Sequence, residues 1–173
     1  MRNTKQQIRK LTLLSVLTAA ALILSYAESV LPPLFPSIPG IKVGLPNIVI
    51  IFVLYRMDVR SAISVSLVRI CIAALLFGSP LSFVYSLAGA FLSLTVMALL
   101  KKLNILSTVG VSIAGGILHN MGQVLAAMLL LQTVQIGYYF IILAMTGTIS
   151  GLFIGLCGAF MIARFPINKE IFS

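Results

Sequence analysis

Apolar runs of up to about twenty residues recur along this chain, separated by short breaks that are basic or turn-forming. A run of that length is what a helix needs to cross a hydrocarbon core about 30 Å thick. Such a core offers no water to backbone amides, so the chain must satisfy them internally as helices. The pattern predicts six transmembrane helices, over about residues 11–31, 43–55, 61–77, 81–100, 106–131 and 138–163. They form a single all-α transmembrane domain over residues 1–173, with no room for a soluble one. Composition agrees: 60% of residues are hydrophobic and 9% charged, against about 25% charged in soluble domains.

The net charge of +9 raises nucleic acid as a partner, and the placement of the charges argues against it. Arg2, Lys5, Arg9 and Lys10 precede the first span; Arg56 and Arg60 flank the second break. Lys101 and Lys102 mark the fourth break, and Arg164 and Lys169 follow the last span. The opposite breaks hold only Lys42, and Arg69 falls inside a span. Basic residues at alternate breaks are what the positive-inside rule produces, so both termini are expected in the cytoplasm. The first span, a basic stretch followed by an apolar one, also resembles a signal peptide, with Ser25 and Ala27 as small residues near a cleavage position. Its apolar stretch continues past Glu28, which favours a retained helix.

The outer break over residues 32–44 leads into Pro46 and Asn47. Between them, Pro32, Pro33, Pro36, Pro39 and Pro46 interrupt any helix, with Gly40 and Gly44 among them. Two readings stay open: a rigid lid or binding loop carrying Lys42, or a connector that caps two helices. The second span is short for a bilayer if it starts at Leu45.

Arg69 lies near the middle of the third span, where a charge costs a few kcal/mol unless it meets a partner or a polar cavity. Ser66 and Ala73 share its helix face. It either anchors an anionic or carbonyl-bearing ligand or pairs with Glu28, the one acid within a span; a ligand inserted between the two charges satisfies both readings. In the fifth span Gly115, His119 and Gln123 recur every four residues, with Gly116 and Asn120 beside them. Three hydrogen-bonding side chains on a glycine-lined stripe point to a binding wall facing a protein interior. Gly147, Gly151, Gly155 and Ala159 form a small-residue ladder for close helix packing, and Ser82, Ser86 and Ala90 form a milder one. On the first span, the pairs Ser15/Ala19 and Ala21/Ser25 make a smooth face that either packs internally or docks a partner helix.

Several chemistries lack their residues. Glu28, Asp58 and Glu170 are the only acids, so no acidic pair can hold Mg²⁺ on a diphosphate. There is no phosphate-binding loop and no nucleophile–base pair. Cys71 and Cys157 lie in apolar runs without metal-ligand spacing. No catalytic centre, metal or cofactor is expected, and any ATP-driven step would need another subunit.

The segments Pro39–Ile48 (PGIKVGLPNI), Leu67-Val68-Arg69, Ser86–Ala90 (SLAGA) and His119–Gln123 (HNMGQ) resemble, in order, the bacterial Gx transporter family, also labelled heptaprenyl diphosphate synthase component I. That family is similar to the substrate-binding S components of energy-coupling-factor (ECF) transporters. The resemblance runs from about Leu11 to Arg164 and departs at Pro46, where a small residue such as Ala is expected. It implies an S-component-like bundle of six helices in the bacterial cytoplasmic membrane. It further implies an outward-facing pocket for a small vitamin- or cofactor-precursor-like molecule, gated by the loop after the first helix. Lys42 and Asn47 would stand at that gate. The partners implied are a coupling transmembrane subunit and ATPase subunits, the coupling subunit meeting the first helix near Ser15, Ala19 and Ala21. The family's AxxxA pattern is incomplete on that face. The synthase label implies instead an accessory subunit of heptaprenyl diphosphate synthesis in isoprenoid or menaquinone metabolism. On the first reading Arg69, His119, Asn120 and Gln123 line the pocket, and the ligand is amphipathic with an acidic or carbonyl group.

Overall fold

The computed structural model describes residues 4–31 and 44–165. They form six α-helices: α1 (Thr4–Val30), α2 (Asn47–Arg56), α3 (Val59–Phe77), α4 (Pro80–Leu103), α5 (Thr108–Leu131) and α6 (Phe140–Arg164). Five of them are long and apolar enough to cross a membrane, and α2 is the exception. No strand occurs among the described residues.

Three boundaries differ from the hydropathy reading. Helix α1 begins near Thr4 rather than Leu11, because Lys, Arg and Gln are good helix formers and do not end a helix. The break at 132–137 is tighter than a plain turn: a 3₁₀ segment over Val134–Tyr139 leads into α6. Helix α2 starts at Asn47, after Gly44 at φ +79°, and has ten residues. At 1.5 Å per residue it is about 15 Å long, half a hydrocarbon core. Most of the outer break (32–43), including Lys42, lies outside the described residues.

The composition of α2 explains its place. Its sequence, NIVIIFVLYR, is apolar on every side, and a helix without a polar face is buried all round. Each residue from Val49 to Leu54 is at most 3% exposed, and α2 packs against α6, α3 and α1. The longer helices instead keep large side chains such as Leu75, Phe91 and Leu129 exposed, as lipid-facing helices do.

Small residues set the closest helix pair. Gly147, Gly151 and Gly155 on α6 are buried against α5. A Cβ at Gly151 would lie 2.7 Å from Ile113 Cα and 2.8 Å from the Ser112 carbonyl oxygen. The ladder is therefore a packing device, as small residues in membrane helices commonly are. Asn120 adds a polar tie: its Nδ2 donates to the Leu143 carbonyl at 2.6 Å.

The opposite end of the bundle carries the charges. Asp58 caps α3 by accepting from the Ser61 amide at 2.7 Å, and it pairs with Lys10 at 2.7 Å. Burial alone would raise the Asp58 pKa, but the Lys10 ammonium and the Ser61 amide outweigh it and hold the carboxyl below its ordinary value. Lys101 donates to the Leu54 carbonyl at the end of α2, and Arg56 to the Ile162 carbonyl near the end of α6. Both side chains satisfy carbonyls that helix ends leave open.

Candidate functional site

Among the described residues, no helix continues the ten-residue α2 through the other half of the bundle. A cavity of about 500 Å³ lies there, within the range of ligand pockets. Pro46 and Asn47, at the start of α2, line it from the side of the core. The rest of its wall comes from the C-terminal parts of α1 and α3, the start of α4 and the middle of α5.

Of the residues expected to bind, Arg69, Glu28, Asn47, His119, Asn120 and Gln123 all line this cavity. Lys42, the seventh, falls outside the described residues. Arg69 reaches in from α3. A guanidinium carries five donors. The described residues supply one hydrogen bond, from Nη1 to Ser25 Oγ at 3.4 Å, which is long. Its Nε is buried without a partner. Glu28 attracts Arg69 electrostatically. It also accepts from the Gly44 amide, which ties the end of α1 to the turn before α2. The sequence left open whether Arg69 answers to Glu28 or to a ligand. The geometry leaves room for both, since Glu28 is nearby and donors of Arg69 remain unspent.

On α5, His119 Nε2 and Gln123 Nε2 are 2.9 Å apart, one helical turn from each other. Gly89 on α4 makes space for that imidazole: a Cβ there would lie 2.9 Å from His119 Cε1. Asn120 lines the cavity, but its amide nitrogen is committed to the Leu143 carbonyl, so it positions α6 as well as bounding the space. Deeper, a void of about 20 Å³ is bounded by Asn47, Ser66, Ser93, Ser112 and His119, with room for about one water molecule.

The smooth face of α1 divides in two. Ser15 and Ala19 are exposed. Ala21 is fully buried, and Ser25 is 9% exposed and faces Arg69. The internal-packing alternative thus applies to Ala21 and Ser25, because that stripe turns towards α2 and α3. Sequence reasoning also missed part of the wall. Ser82 and Ser86, read as packing residues, line the cavity, as do Ser79, Phe77 and Phe83. A signal for Ser79 was present in Ser79-Pro80-Leu81-Ser82, a capping box that starts α4 at the cavity rim. Among the described residues, no group of three or more His, Cys, Asp or Glu could hold a metal ion.

The fold and site define an α-helical membrane-protein bundle with a ligand-sized polar cavity beside a buried short helix. A family model described as heptaprenyl diphosphate synthase component I matches residues 17–161, and the chain belongs to that family. Searches of curated proteins and of solved structures gave no match.

Proposed function

We propose that this chain is the membrane-embedded, non-catalytic component of a heptaprenyl diphosphate synthase, working with a separate catalytic prenyltransferase subunit. The family match over residues 17–161 carries this reading. The residue inventory supports it, because three acids in 173 residues leave no pair to hold a Mg²⁺-diphosphate. In this role the chain supplies a membrane site and a small-molecule pocket at Arg69, and the partner supplies the chemistry. The six helices form one transmembrane domain in the bacterial cytoplasmic membrane, with α2 embedded at half depth. Both termini lie in the cytoplasm, which the ten Lys/Arg at the N-terminus, two breaks and tail support. The test is reconstitution in liposomes with the prenyltransferase subunit of the same bacterium. Long-chain product should depend on this chain; product made equally well without it overturns the proposal.

A second reading rests on one observation, the cavity itself. A pocket of about 500 Å³ lined by Arg69, His119 and Gln123 suits capture of a solute from outside, as by the S component of an ECF-type importer. Here Ser15 and Ala19 on the exposed stripe of α1 are where a coupling subunit would dock, with ATPase subunits beyond it. This reading predicts ligand binding and uptake without any prenyltransferase.

A further inference from the structure

From the charges and shape of the cavity we infer that its ligand is a monocarboxylate with a flat apolar body, bound head-inward on Arg69, and that the cavity does not take a diphosphate. This inference rests on the reading of the cavity as a small-molecule pocket.

The head group follows from Arg69. It holds one long hydrogen bond to Ser25 and has a buried Nε without a partner. An unspent buried donor is costly, so an acceptor belongs at Arg69. A guanidinium fork matches a planar carboxylate through two parallel bonds. The charge of the head follows from Glu28. Arg69 is the one Lys or Arg among the described lining residues, and Glu28 already offsets part of its field. A single negative charge can be accommodated beside that pair. The two or three charges of a diphosphate exceed what the described lining residues compensate in a low-dielectric site.

The body follows from the far end of the cavity. Phe77 ends α3 eight residues beyond Arg69, about 12 Å along the helix axis. Phe83, in the first turn of α4, lines the same region. Phe77 packs edge-on against Tyr26, with ring centroids 5.7 Å apart, and Phe77 and Phe83 form an aromatic end to the cavity. A ligand that fills the space from Arg69 to these rings is elongated and flat at its outer end.

The test uses the full chain purified in mild detergent and three probes in calorimetric titrations: trans-cinnamate, neutral cinnamamide and geranyl diphosphate. Cinnamate should bind, and cinnamamide at least tenfold more weakly. Arg69→Gln should weaken cinnamate by about 10- to 100-fold, the loss of a charge-assisted hydrogen-bond pair. Arg69→Lys, which keeps the charge and loses the fork, should fall between, and it keeps the test open if the Gln variant does not fold. Phe83→Leu should weaken cinnamate as well. Arg69-dependent binding of geranyl diphosphate, or cinnamate and cinnamamide binding alike, overturns the inference and leaves the pocket reading in place. If wild-type protein binds none of the three, the inference is overturned. Native mass spectrometry then judges the pocket reading separately, which survives on an Arg69-dependent adduct of another class and falls with a bare chain.

Discussion

Gly151→Ala tests how closely α5 and α6 pack. The added Cβ would sit 2.7 Å from Ile113 Cα, 2.8 Å from the Ser112 carbonyl oxygen and 3.2 Å from the Ile113 nitrogen. All three are backbone atoms of α5, so no side chain can rotate away. Ordinary contact begins near 3.4 Å, so the helices must part by about 0.7 Å locally. Overpacking of this kind costs about 1–3 kcal/mol. For a chain of this size that lowers the melting temperature by about 2–12 °C. The displacement should also reach the cavity, since α5 carries His119, Asn120 and Gln123. Gly137→Ala is the control, because its nearest neighbour would be the flexible Met128 Sδ at 3.5 Å. Its stability should match wild type within about 0.5 kcal/mol. The assay is thermal unfolding in one detergent, followed by circular dichroism. A Gly151→Ala variant that melts with the wild type would refute the close α5–α6 contact.

Other perturbations follow from the same structure. Asn120→Leu leaves the Leu143 carbonyl without its donor and should cost about 0.6–1.7 kcal/mol in thermal unfolding, the range of polar ties between membrane helices. Gly44→Ala places a side chain at φ +79° and 2.9 Å from Asn47 Nδ2, so it should lower stability, while Gly137→Ala should not. Because Asp58 titrates below its ordinary value, its contribution is complete above about pH 4 and is lost as pH falls through its own lower value. Wild type should therefore lose more stability than Asp58→Asn when melted at pH 3 instead of pH 7. At pH 7, Asp58→Ala should cost about 0.5–2 kcal/mol through the lost cap.

Much of the fold was legible because hydropathy and helix length measure the same constraint. Five of the long helices follow directly from apolar run length. Helix α2 was harder, since an apolar decapeptide reads alike whether it crosses lipid or fills a protein core. Its burial is set by neighbours that sequence order does not place. The cavity-lining residues were legible where they break the solvent rule: Arg69, His119, Asn120 and Gln123 are polar within apolar runs, which requires an interior face. Ser82 and Ser86, read as part of a packing ladder, also line the cavity, because a serine ladder serves helix packing and pocket lining equally well. Ser25 was ambiguous for the same reason, and the guanidinium of Arg69 settles which way it faces.

The central claim is that this chain is the membrane component of a polyprenyl diphosphate synthase. It is tested most directly by isolating the tagged full-length chain from its native membranes in mild detergent and identifying the stoichiometric partner by mass spectrometry. The account predicts a catalytic prenyltransferase subunit, recovered in fixed ratio with the chain. Recovery instead with a coupling transmembrane subunit and ATPases, and without a prenyltransferase, would contradict it and establish the importer reading.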